Sequence, residues 1–375
     1  MIVQSGITIG SNITIGDLPT VPYLPNYLYS FSTFTFKAGN TIGSFGANAQ
    51  WLFSNSYSNI GNTWLQNTSY YTTSGNGYQF WTVPATGTYQ ITAAGSRSGY
   101  ATITGNTTFD ANSAGRGVTI QGTVPLSQGQ IITIAVGQPS ANGFSQSAFS
   151  VPGGGGGTFV VFTNNNAPII VAGGGGGPGD WTSNTYYNPG GNAVTTNWGG
   201  NSWAGAPGGF NGQGGNSHVN INGVTSTNGY DGGGGGGFYS NGVNGAGGNV
   251  RTNATSGPTG GGGQGFNAGL IGGVVTSSYN TYDTAGGFGG GGGPGALSGG
   301  GGGGYSGGGG GYGAASTVVD SGGGGGSYII NGASNVATTD GNYNGSNSFS
   351  GNGITSLGTS SYNTGPGYVT ITRIS

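Results

Sequence analysis

Eight blocks of consecutive glycine interrupt this chain: 153–157, 173–177, 232–237, 260–263, 289–293, 299–304, 307–311 and 322–326. Such a block has no apolar face to bury, and ordering its backbone costs about 1–2 kcal/mol per residue, more for glycine than for any other residue. It is therefore either a flexible linker or part of something held by its own backbone. The second alternative has a definite form. A polyproline-II-type helix repeats every three residues and rises about 3.1 Å per residue, so five or six glycines span roughly 15–19 Å. Its N–H and C=O groups point sideways, where parallel neighbours can bond them, and only glycine lets backbones approach on every side. One such helix cannot stand alone; a bundle can.

Composition decides between linker and bundle. Glycine supplies 94 of 375 residues without a Gly-X-Y period, which excludes collagen. Disordered chains combine high net charge with few aromatics, whereas this one is 3% charged, with a net charge of −2, and 11% aromatic. Rings in that number need a packed environment, so an ordered bundle is expected.

The charge inventory removes several function classes. Five basic residues (Lys37, Arg97, Arg116, Arg251, Arg373) are too few to neutralise a phosphate backbone, so no nucleic-acid partner is expected. Nor do they form a polybasic membrane patch. No cysteine is present, so stability rests on packing and hydrogen bonds. The start, MIVQSGITIG, has neither a basic nor an apolar signal region, and no stretch of about 18 apolar residues occurs, so neither export through a signal peptide nor membrane insertion is expected. That pattern fits assembly of a particle inside a cell and release by lysis.

Outside the glycine blocks the chain reads as short strands between turn signals: FSTFTF, AQWLF, YQFWTV, GTYQITAAG, GVTIQGTV, IITIAVG, TFVVF, APIIVAG and the closing GYVTITRIS. In GTYQITAAG, Tyr89 and Ile91 fall on one face and Gln90 and Thr92 on the other. The pattern predicts an all-β protein with essentially no α-helix, a β-sandwich or jelly roll. Its expected segments are 31–172 with 367–375 for the sandwich and 173–366 for the glycine bundle and its loops. Residues 1–30 carry a hexad echo, SGITIG then SNITIG, with Ile7, Ile9, Ile13 and Ile15 at alternate positions. Two readings stand for it: an edge strand, or an attachment and oligomerisation segment.

Catalytic chemistry is poorly supplied. The single histidine, His218, has no acidic residue within ten positions, and there is no Cys or Glu. GxGxxG matches arise trivially from polyglycine, without the strand, helix and acidic residue of a dinucleotide site. Asp180, Asp231, Asp283 and Asp320 adjoin glycine blocks, but at no Ca²⁺-loop spacing, and read as turn residues. The chain is thus expected not to be an enzyme and to use no metal or cofactor.

The loops between blocks remain as sites. They carry Trp181, Tyr186, Tyr187, Trp198, Trp203, Tyr230, Phe238, Tyr239, Tyr279 and Tyr282 among Asn, Ser and Gly. Aromatics with amides suit adaptable binding faces, since rings give area at low entropic cost. The same rings could instead cover the sides of a lattice that has no side chains of its own. Both uses stay open for each ring.

The stretches GYQFWTVPATGTYQITAAGS, LSQGQIITIAVGQ, GGGGGTFVVFTNNNAPIIVAGGGGG and GPGYVTITRIS, in that order, resemble the glycine-rich extracellular domain of the anaplastic lymphoma kinase and leukocyte tyrosine kinase receptors, over roughly residues 75–375. The resemblance implies a TNF-like jelly roll carrying a polyglycine-II helix bundle. Without cysteines, a kinase region or a membrane span, receptor function does not follow. The upstream part, FSTFTFKAG through WLQNTSYYTT, and the GITIG echo are similar to glycine-rich structural and tail-fibre proteins of bacteriophages. That likeness implies a virion surface adhesin, trimeric by analogy, whose loops bind host-surface glycan or protein. The alternative is a structural subunit of a filament or capsid decoration.

Overall fold

Strand β4 (Gly87–Ala94) buries Tyr89, Ile91 and Ala93 while Gln90 and Thr92 stay half-buried, the alternation expected of a sheet with one covered face. It belongs to a six-stranded sheet ordered β1 (Thr33–Lys37), β16 (Tyr368–Arg373), β4, β7 (Thr119–Leu126), β14 (Ser334–Thr338) and β15 (Thr355–Ser356). All pairs are antiparallel except β14 with β15. Register places Phe34, Ile371 and Ile91 side by side across three strands. The computed structural model describes residues 27–39, 41–58, 60–102, 109–143, 151–180, 187–218, 230–245, 259–275, 284–313, 320–338, 355–356 and 362–375.

A second six-stranded antiparallel sheet runs β13 (Tyr328–Ile329), β10 (Ala167–Ala172), β9 (Thr158–Phe162), β8 (Ile131–Ala135), β3 (Tyr78–Thr82) and β2 (Tyr71–Thr73). The main core lies between the sheets, where Trp81, Tyr89, Ile91, Ile120, Ile134, Val160, Ile170 and Ile371 pack together. Two short ribbons, β5 (Ala101–Thr102) with β6 (Phe109–Asp110) and β11 (Gly179–Asp180) with β12 (Tyr187–Asn188), lie outside the sheets.

TFVVF and PIIVA do not alternate because the second sheet is covered twice. Val160 and Ile170 face the sandwich core, while Phe159, Val161 and Val171 face a second cluster with Phe238, Phe266, Leu270, Phe288 and Tyr305. Those last rings cap the glycine lattice, so the second cluster joins sheet to lattice. Tyr78 adds a bond across the junction, its hydroxyl donating to the Phe266 carbonyl at 2.7 Å.

Within the lattice the backbones bond one another directly. The run 299–304 exchanges hydrogen bonds with six other runs. Gly303 donates to Gly155, Gly301 to Gly233 and Gly302 to Gly323, while Gly174, Gly292 and Gly308 donate to Gly303, Gly301 and Gly302, all at 2.7–3.0 Å. A strand in a sheet has two neighbours; a chain with six sits in a two-dimensional packing. The glycines of all eight runs are buried except Gly262, which is half-buried, and there is no room for a methyl group: a Cβ on Gly302 would lie 2.0 Å from the Gly174 oxygen. Gly289 and Gly290 depart from the rest of their run, turning the chain with φ of 105° and 82°.

Two expectations need correction or refinement. AQWLF is not a strand: Ala49–Leu52 is a turn of α-helix whose N-cap Asn48 side chain accepts from the Trp51 amide at 2.9 Å, and it continues into the π-turns of Phe53–Tyr57. Strands β13 and β14 arise within 173–366, so part of that segment joins the sheets. The hexad echo, with Ile7, Ile9, Ile13 and Ile15, lies outside the described residues. No helix among the described residues is long and apolar enough to cross a membrane.

Candidate functional site

The lattice has two unlike ends. At the end against the second sheet, chains reverse in short turns capped by buried rings: Phe238 stacks on Phe266 with centroids 4.8 Å apart, and Tyr305 stacks on Tyr328 at 4.6 Å. At the far end meet Gly177, Asp231, Gly260, Gly299, Gly311 and Asp320, joined by bonds from Gly299 to Asp320, Gly260 to Asp231, Gly311 to Gly299 and Gly322 to Gly177.

Exposed rings form a row at the rim of the sheet-facing end. Trp198 and Phe210, each 54% exposed, lie 6.0 Å apart at 39°. Phe210 opens the turn FNGQ, in which Asn211 (φ 48°) and Gly212 (φ 85°) both take the left-handed region and the Gln213 amide donates to the Phe210 carbonyl at 3.0 Å. Positive φ at both central residues is the type I′ arrangement that Asn-Gly favours. Gly212 then supports Tyr239: the Tyr239 amide donates to the Gly212 carbonyl at 2.7 Å, and a Cβ on Gly212 would stand 2.4 Å from the Tyr239 ring. Tyr239 is 52% exposed and leads inward to Tyr305, 6.4 Å away.

Amides accompany the rings. Asn197 Nδ2 donates to Asn211 Oδ1 at 3.2 Å, tying the Trp198 segment to the turn below it. Ser306 Oγ donates to the Asn197 carbonyl and accepts from the Gly212 amide, so the row is bonded to the lattice beneath it. The result is flat apolar area flanked by fixed polar groups.

The other anticipated rings distribute differently. Trp203, 75% exposed, stands on a turn near the far end, its amide donating to the Ser321 carbonyl at 3.3 Å. Tyr230 is half-buried against Ala296 and Leu297. Phe238 is wholly buried and serves as a lattice cap. The backbone of Tyr187 pairs with Asp180 in β12. Trp181, Tyr186, Tyr279 and Tyr282 lie outside the described residues. Phe210 was not anticipated from the sequence, although the Asn-Gly pair after it was a readable turn signal.

Among the described residues, no three His, Asp, Glu or Cys side chains come together. His218 packs its ring 4.1 Å from that of Tyr312, as a histidine held in an aromatic contact. Comparison of the sequence with known protein families, and with curated proteins, finds no match in either.

Proposed function

We propose that this protein is a non-enzymatic virion surface protein, an adhesin of the phage tail-fibre kind, that binds host-surface glycan through aromatic residues displayed on a polyglycine lattice. The observation that carries the reading is the row Trp198, Phe210 and Tyr239, about half exposed and fixed to buried backbone. Rings of this kind stack on the apolar faces of sugar rings, and the Asn211 and Asn197 amides beside them suit hydroxyl groups. In this reading the runs are polyglycine-II helices and the sheets a TNF-like jelly roll, the whole working outside the cell as a homotrimer. The six bonded neighbours of run 299–304 support the helical part, since a three-residue repeat directs polar groups all round its axis.

Purified protein applied to host and non-host bacteria, and to an array of bacterial surface polysaccharides, tests it. Selective binding that Trp198→Ala and Phe210→Ala each abolish, with melting temperature unchanged, supports the reading. Equal or absent binding to all cells, or full binding by both variants, overturns it.

One observation favours a structural subunit instead. Strand β1 pairs on one side only among the described residues, leaving an edge to which a strand of another subunit can add. Deleting residues 1–20 separates the two: loss of polymerisation supports the filament, and loss of particle attachment alone supports the adhesin.

A further inference from the structure

Two carboxylates are buried at the far end of the lattice, where the chain enters two of its runs. Asp231 precedes run 232–237, Asp320 precedes run 322–326 by one residue, and the two are 0% and 1% exposed. The sequence reads both as turn residues, a role that leaves a carboxylate free to be solvated. Instead they flank a single peptide: the Asp320 amide donates to the Tyr312 carbonyl at 3.1 Å, and the next amide, Gly313, donates to Asp231 Oδ1 at 3.0 Å. Both carboxylate oxygens of Asp320 are without a hydrogen-bond partner among the described residues.

A buried anion is costly unless something neutralises it, and a second anion beside it raises the cost. Desolvation, and after it the Asp231 carboxylate, push Asp320 up to about 6.

We propose that Asp231 and Asp320 hold a Ca²⁺ ion that pins this end of the lattice. Calcium takes six to eight oxygens in flexible geometry, mixing carboxylates with backbone carbonyls, whereas Mg²⁺ demands a small octahedron and keeps its waters. The surroundings offer backbone carbonyls: those of Tyr230, Gly299 and Tyr312 belong to the same end of the lattice and accept bonds from Ser298 Oγ, Gly311 and Asp320. The ion would join the starts of two runs far apart in sequence. This proposal is independent of the adhesin reading.

Terbium tests it, since tyrosines near a bound lanthanide can sensitise its luminescence, and Tyr230 and Tyr312 adjoin the two acids in the chain or by a backbone bond. Protein dialysed against chelator is titrated with Tb³⁺ and then with Ca²⁺, and bound Ca²⁺ per chain is measured by equilibrium dialysis. Saturable luminescence displaced by Ca²⁺, one ion per chain, and a melting temperature raised by about 5–10 °C in excess Ca²⁺ are expected. Asp231→Asn and Asp320→Asn should each weaken binding at least about tenfold, and Asp110→Asn should not. Less than one Ca²⁺ bound per unmodified chain overturns the proposal without recourse to any variant, as does unchanged affinity in both Asn variants.

Discussion

The hydroxyl of Tyr78, on the second sheet, donates to the carbonyl of Phe266, in a turn of the lattice, at 2.7 Å. The same ring meets Phe266 edge-on, with centroids 5.5 Å apart, so one side chain makes both the polar and the apolar contact across the junction. Tyr78→Phe keeps the second and deletes the first. The cost is expected at about 1–2 kcal/mol, since it leaves the Phe266 carbonyl without this partner. Denaturant titration measures it, and faster amide exchange confined to residues 264–270 would localise it.

Glycine inside the lattice is irreplaceable for reasons of space. A Cβ on Gly302 meets the Gly174 oxygen at 2.0 Å and the Gly325 nitrogen at 2.9 Å, all backbone that cannot rotate away. Gly302→Ala is expected to cost more than about 3 kcal/mol. Gly61→Ala, whose Cβ meets nothing within 4 Å, should stay within about 0.5 kcal/mol of the unmodified protein. Equal melting temperatures for the two variants would refute the packing described for run 299–304.

Stability should fall as pH rises in chelator-treated protein. Asp320 is raised from an ordinary 3.8 to about 6 by desolvation and by Asp231, so the folded state binds its proton more tightly than the unfolded chain does. The contribution is therefore full below about pH 4 and lost as pH climbs through 6. Melting curves between pH 4 and 7 should show this slope, and Asp320→Asn should flatten it.

The turn that supports Tyr239 offers a test of display. Gly212→Ala places a methyl group 2.4 Å from the Tyr239 ring at a φ of 85°, where an L-residue is strained. A loss of about 1–2 kcal/mol is expected, and Tyr239 must move. Cell binding weakened beyond what Tyr239→Ala alone causes would show that the turn positions more than that ring.

The sheets were largely legible. Alternation in GTYQITAAG read correctly because β4 buries one face, and TFVVF and APIIVAG read as strands from their β-branched runs, although only the structure shows why they are apolar on both sides. AQWLF misled because apolar content outweighed Asn48, whose capping role needs three-dimensional context only to confirm, not to suggest. At the rings, sequence could nominate Trp198 and Tyr239 but could not sort them from Phe238: all three follow or adjoin glycine, and burial depends on which end of a turn meets the sheet. The burial of Asp231 and Asp320 was equally invisible, because it follows from how separate runs align and not from neighbours in the chain.

Run 299–304 touches its six neighbours through main-chain atoms alone. Main chain is the same at every glycine, so the interior holds no information about which run belongs where or how far along it should slide. A run displaced along its own axis would still set main-chain donors beside main-chain acceptors. Alignment must come from the ends, from Phe238, Phe288 and Tyr305 seated on the sheet. The rings that look like caps are thus the address labels of an otherwise interchangeable set of rods.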